Sequence, residues 1–153
     1  MKAYFDHERL NVYQDAIAFC GWVGDLLNGI TAKAAAKDQL DRASTSIPLN
    51  IAEGNGKFSN ADCARFLEIA RGSALECAAC IDVLVMRKFV AIDRVIPGKE
   101  RLVRIVNMLM GMLKRFSGRA DLLKEEAGIY AFEQEHEQEQ EQEQEQEQEQ
   151  ETE

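Results

Sequence analysis

Gln39-Leu40-Asp41-Arg42-Ala43-Ser44-Thr45-Ser46-Ile47-Pro48-Leu49-Asn50-Ile51-Ala52-Glu53-Gly54-Asn55-Gly56 is the stretch whose reading decides the fold. Leu40, Ala43, Ile47 and Ile51 recur at steps of three and four, one apolar stripe on a helix, with Ser44 beside them. Pro48 removes a backbone donor and crowds the carbonyl of Ser44, so a kink is expected there, with the Ser44, Thr45 and Ser46 hydroxyls satisfying the freed groups. Gly54-Asn55-Gly56 then ends the helix, because these residues enter left-handed geometry cheaply. Ser59-Asn60-Ala61-Asp62 reads as a capped restart, with Asp where a capping box usually carries Glu or Gln. The next helix has Cys63, Phe66, Leu67, Ala70, Ala74, Cys77, Ile81, Leu84 and Val85 on its stripe and closes at Arg87-Lys88, charges that suit its dipole. Gly72 costs about 1 kcal/mol relative to alanine in mid-helix, a penalty expected where two helices approach closely. The two long helices should pack as a hairpin.

Upstream, a helix is expected from an N-cap at Asp6 to about Asn28-Gly29, with Leu10, Tyr13, Ala16, Ile17, Cys20, Val23, Leu27 and Ile30 on one face. Trp22 lies off that face and marks a second packing surface. The central helix begins within 32–37. Downstream, a fourth helix starts at Asp93 or just after Gly98 and carries Leu102, Ile105, Val106, Leu109, Met112, Leu113 and Phe116. Ser117-Gly118 loosens it, with a short helical remnant to Tyr130. Four amphipathic helices with short connectors predict an all-α, antiparallel up-down four-helix bundle over 1–132. Residues 133–153 form a low-complexity tail with Glu at every odd position and Gln at most even ones. Glu faces Glu at every i, i+4 spacing and no apolar residue is available to bury, so a disordered acidic tail is expected.

The net charge of −9 is unevenly spread. The body to residue 132 holds all 18 basic residues against 16 acidic ones, or +2, and the tail holds the other 11 acids. A body so near neutrality carries no nucleic-acid signature by total charge, only by arrangement. No apolar run reaches the roughly 18–20 residues of a membrane span, and Met1–Asp6 lacks a signal-peptide core, so a cytoplasmic, non-membrane protein is expected. Cys20, Cys63, Cys77 and Cys80 are expected as free core thiols. Cys77 and Cys80 have too few histidine or cysteine companions for a zinc site, and no metal or other cofactor is expected.

The run Gln39-Leu40-x-Arg42-Ala43-x-x-Ser46-Ile47-Pro48-x-Asn50-Ile51-Ala52-Glu53-Gly54, then Ser59, then Phe66-Leu67-x-Ile69-Ala70-x-Gly72-Ser73-x-x-Glu76, resembles the bacterial four-helix-bundle proteins encoded by intervening sequences in 23S ribosomal RNA genes. The resemblance spans roughly residues 5–117 and is densest over 39–76. That family is similar to the accessory variability determinants of diversity-generating retroelements, barrel-shaped pentamers that bind nucleic acid and a reverse transcriptase. The resemblance implies a homo-oligomer, a pentamer, and by analogy alone a reverse-transcriptase partner. It implies no catalysis. The Glu/Gln tail departs from the family pattern and inherits nothing from it.

Two residue sets follow. Arg42, Asn50, Glu53, Arg71, Gly72 and Glu76 lie in the motif, the charged ones close to the apolar stripes. They are expected to form an ion-pair and hydrogen-bond network at the hairpin or at a subunit interface. The competing reading, with Glu53 or Glu76 as general base, lacks a nucleophile or metal set. Lys33, Lys37, Arg87, Lys88, Arg94, Lys99, Arg101, Arg104, Lys114, Arg115 and Arg119 are candidates for binding RNA or a ribonucleoprotein, through phosphates and with strong salt dependence. The competing reading of these cations is an ordinary solvated face. The low aromatic content argues against a base-stacking platform. The function expected is a non-enzymatic oligomeric bundle that binds RNA, with a protein-interaction scaffold free of nucleic acid as the alternative.

Overall fold

A computed structural model describes residues 2–116. A 3-10 turn at Asp6–Arg9 precedes four helices: α1 Asn11–Asn28, α2 Ala35–Asn55, α3 Asn60–Met86 and α4 Ile92–Phe116. No strand occurs among the described residues. The expected boundary at 132/133, the helical remnant to Tyr130, the acidic tail and Arg119 all lie outside them.

Side-chain registers establish the up-down order. Between α1 and α4, Asp15 meets Arg101 and Arg104, Trp22 meets Gly98, and Gly29 meets Arg94. Between α2 and α3, Gly54 meets Phe66, Ser46 meets Ser73, and Gln39 meets Glu76. Cys20 meets Ser44 between α1 and α2, and Asp82 meets Lys99 between α3 and α4. In the pairs with more than one contact, residue numbers rise on one helix as they fall on the other. The bundle is therefore an antiparallel ring of four helices, as expected.

The core takes Leu40, Ile47 and Ile51 from α2, Leu67, Ile81 and Leu84 from α3, Phe19 from α1, and Ile105 and Leu109 from α4. Each such side chain contributes about 1.5–3 kcal/mol when removed from water. The three from α2 together outweigh the roughly 3 kcal/mol cost of a proline inside a helix, and α2 runs unbroken past Pro48. The carbonyl that Pro48 leaves without a helical donor is that of Ser44. The nearby hydroxyls do not satisfy it: Ser44 Oγ and Thr45 Oγ1 donate to the Asp41 carbonyl at 2.9 and 3.0 Å. The thiol of Cys20, reaching over from α1, donates to it at 3.2 Å.

The α1 face differs from the expected one. Val12, Ala16, Phe19, Val23, Leu26 and Leu27 are buried, whereas Ile17 is exposed and Tyr13 and Cys20 are half-buried. Almost every residue from Val12 to Val23 is apolar or small, so periodicity alone cannot orient this helix. Its start also shifts: Asp6 opens the 3-10 turn, Leu10 is extended, and the α-helix begins at Asn11. Helix α4 starts one residue before Asp93 and includes Pro97.

The glycines divide differently from expectation. Gly56 ends α2 with right-handed backbone, φ −85°, and no described glycine has positive φ. A Cβ on Gly72 would meet nothing within 4 Å among the described residues. The close approaches are elsewhere. A Cβ on Gly54 would lie 3.0 Å from Phe66 Cβ and 3.3 Å from the Cys63 carbonyl, and one on Gly98 would lie 2.3 Å from the Trp22 ring. Ser59 caps α3 as expected, accepting from the Asp62 amide at 3.2 Å. Lys88, in the turn after α3, holds a left-handed φ of 62°.

Candidate nucleic-acid interface

The antiparallel order brings the α1–α2 and α3–α4 turns to one end of the bundle. Residues 29–38 and 86–95 place Lys33, Lys37, Arg87, Lys88 and Arg94 there against only Asp38 and Asp93. The Arg94 guanidinium lies 3.8 Å from the position a Gly29 Cβ would take, which joins the two turns directly. Lys37 Nζ donates to the Ile30 carbonyl at 2.6 Å, and Lys37 lines a small surface cavity with Asp38 and Asp41. Lys33, Arg87, Lys88 and Arg94 are exposed and engage no carboxylate among the described residues.

The cations along α4 are arranged otherwise. Lys99 pairs with Asp82 at 2.5 Å, Arg101 with Asp15 at 2.8 Å, and Arg104 with the same carboxylate at 3.6 Å. One acid thus ties both arginines to α1. Lys114 and Arg115 are exposed at the last turn of α4, the opposite end of the bundle from Arg94.

The motif residues form two hydrogen-bonded bridges across the hairpin. Arg42 donates to Gln39 Oε1 at 2.8 Å, and Gln39 Nε2 donates to Glu76. Below it, Ser46 and Ser73 hydroxyls lie 2.8 Å apart, and Asn50 Nδ2 donates to the Ser46 carbonyl and hydroxyl at 2.8 and 3.0 Å. Glu53 is exposed, Arg71 half-buried and Gly72 exposed. Glu76 is thus engaged by Gln39.

The cysteines are free thiols. Burial pushes Cys77 up to about 12 and raises Cys20 and Cys80 as well, so none of the three supplies a thiolate at neutral pH. Among the described residues no group of three or more His, Cys, Asp or Glu side chains is arranged to hold a metal ion. Nor is any described helix long and apolar enough to cross a membrane.

Two features escaped the sequence reading. One is a second stripe on α3: Ile69, Gly72, Glu76, Ala79, Val83 and Met86 recur at alternating steps of three and four and are all exposed. It surfaces only once the buried stripe is subtracted. The other is a cluster of rings near the start of the chain. Phe5 stacks on His7 with centroids 5.8 Å apart, and His7 meets Tyr13 edge-on at 4.8 Å. Low overall aromatic content concealed it.

The fold and these bridges define an all-α four-helix bundle with a basic turn end. Residues 8–111 match the model of the 23S rRNA-intervening sequence protein family, and the chain belongs to that family. It is also similar to a crystal structure of a protein of unknown function from the S23 ribosomal protein family of Bacteroides thetaiotaomicron. The TM-score is 0.64 at 22% identity, covering 67% of this chain and 98% of that one, which establishes likeness of fold. No curated protein matches the sequence.

Proposed function

We propose that the protein is a non-enzymatic homo-oligomer that holds RNA, or a ribonucleoprotein, by its phosphates at the basic turn end. The observation that carries this reading is the group Lys33, Lys37, Arg87, Lys88 and Arg94, exposed or half-exposed and without a carboxylate partner among the described residues. Paired arginines such as Arg101 must break an ion pair before binding phosphate, whereas these need not. Assembly multiplies the effect, since several copies of a weak phosphate-binding end act together on one strand. The exposed α3 stripe supports assembly: its 3.5-residue period is that of a helix–helix seam, and Gly72 and Ala79 leave room for a neighbouring backbone. A pentamer and a protein partner such as a reverse transcriptase remain analogies with related bundles.

The test is RNA binding by the purified chain over a salt series, with solution mass measured in parallel. Replacing Arg87, Lys88 and Arg94 by alanine should reduce the slope of log affinity against log salt by about two to three. Val83→Glu should lower the solution mass. An oligomer that binds no RNA at low salt would refute the RNA reading. The protein-interaction scaffold would then lead; the pairing of Lys99, Arg101 and Arg104 with carboxylates supports it.

A further inference from the structure

The apolar surface of the bundle is concentrated on one side. Among the described residues, α3 and α4 expose seven large apolar side chains, whereas α1 and α2 expose only Ile17 and Leu49. Two lines of side chains order that surface. On α3, Leu75, Ala79, Asp82 and Met86 recur at steps of four, three and four, and on α4 Ile92, Ile96, Lys99 and Val103 repeat the same steps. All are exposed except the half-buried Lys99. Each line holds one member of the Asp82–Lys99 ion pair, so the two lines flank one groove. Toward the basic turn end the groove opens into a cavity of about 470 Å³. Its border is five apolar side chains, Met86, Ile92 and Ile96 among them, with Asp82, Lys99 and Glu100.

Extent and charge select what covers this face. Helix α4 is 25 residues long, which makes roughly 37 Å, and two helices side by side are roughly 20 Å across. The face therefore measures roughly 750 Å², close to the about 800 Å² that each partner gives to a stable interface. Among the described faces, its only match in extent and apolar character is the same face on a second copy. Charge then decides the symmetry. A two-fold axis across the helices, at the level of the ion pair, would bring Asp82 against Asp82 of the partner subunit and Lys99 against the partner's Lys99. An axis along the helices lays α3 on the partner's α4, antiparallel. It brings Asp82 to Lys99 of the partner subunit and Lys99 to the partner's Asp82, so the four charges alternate. Met86, 81% exposed, then stands at the level of the partner's Ile92 and the partner's Ile96. We propose that two copies pair through their α3–α4 faces about a two-fold axis parallel to the bundle, with the Asp82–Lys99 pairs interleaved at its centre. This rests on the reading of the protein as a homo-oligomer and adds the face, the symmetry and the contacts. It also sets two basic turn ends side by side, so that a single strand meets both.

The test is the solution mass of the full chain, measured by light scattering at low salt over a range of concentrations. D82K and K99E each make the four central charges alike. Each is expected to weaken association by about tenfold or more, so that both run as single copies where the wild type pairs. Mixed in equal amounts, the two variants are expected to pair again, because each supplies the charge that the other lacks. Loss of the ion pair within one copy cannot produce that recovery. V103E, which sets a carboxylate among the apolar side chains of the face, is expected to separate the copies as well. Circular dichroism verifies that the variants fold. An assembled wild type whose mass D82K, K99E and V103E leave unchanged would overturn the proposal and leave assembly standing, as would an odd number of copies. Variants that separate but fail to pair on mixing also overturn it. A wild type that runs as a single copy at every concentration overturns both this proposal and the reading of the protein as an oligomer.

Discussion

Alanine at Gly98 and alanine at Gly111 should move stability in opposite directions, although both lie on α4. In a helix interior the change from glycine to alanine is worth about 1 kcal/mol in propensity. A Cβ on Gly111 meets nothing within 4 Å among the described residues, so the gain should appear in full. At Gly98 the same atom would stand 2.3 Å from two atoms of the Trp22 ring and 2.7 Å from a third. The ring must retreat by roughly 1 Å to reach ordinary contact distance. It cannot do so freely, because it stacks on Phe19 at 5.6 Å and Phe19 is fully enclosed. Overpacking of this kind costs about 1–3 kcal/mol, which leaves a net loss of about 1 kcal/mol after the propensity gain. For a bundle of this size each kcal/mol shifts Tm by about 4 °C. Gly111→Ala should therefore raise Tm by about 4 °C and Gly98→Ala should lower it by about as much. Trp22 is the only tryptophan, so its emission reports the displacement of the ring directly. Equal increases in Tm for both variants, with unchanged Trp22 emission, would refute the close α1–α4 packing.

Other consequences are open to similar measurement. Cys20→Ser should hold stability within about 0.5 kcal/mol of wild type, since a hydroxyl can still donate to the Ser44 carbonyl, whereas Cys20→Ala should cost about 1 kcal/mol. Chemical denaturation resolves the difference. On the alkaline side, thermal melts should show stability falling from about pH 9 upward: Cys77 ionises near 9 when unfolded but only at about 12 when folded, so the unfolded state sheds its proton first. A flat profile from pH 9 to 11 would contradict that burial. Double-mutant cycles should give Asp15–Arg101 a coupling of about 1 kcal/mol and Asp82–Lys99 less than about 0.5. The first pair's side chains are 24% and 32% exposed, while Asp82 is 69% exposed.

Helix α2 of the α2–α3 hairpin was legible because its stripe is narrow. Leu40, Ala43, Ile47 and Ile51 are flanked by polar residues, so only one face could be buried. Helix α1 was legible as a helix and not as a face, because it packs between α2 and α4 and is apolar over a wide arc. Proline and glycine meanings depended on partners remote in sequence. Gly98 is tight because of Trp22, and Gly72 is open because no described residue comes within 4 Å of where its Cβ would stand. The freed carbonyl behind Pro48 found its donor 24 residues away. The candidate site followed the same rule. Lysines and arginines could be counted, but Arg101 looked like a free cation until Asp15, 86 positions earlier, stood beside it. The turn-end cations gathered only through the antiparallel order of the helices.

Lys88 carries a consequence for how this protein could be improved. Its left-handed backbone costs a non-glycine residue about 1–2 kcal/mol, so Lys88→Gly should melt several degrees higher than wild type. It would also remove one of the five cations at the turn end. A laboratory selection for heat resistance alone would therefore drift toward sequences that hold their shape better and carry fewer of the cations proposed to meet phosphate.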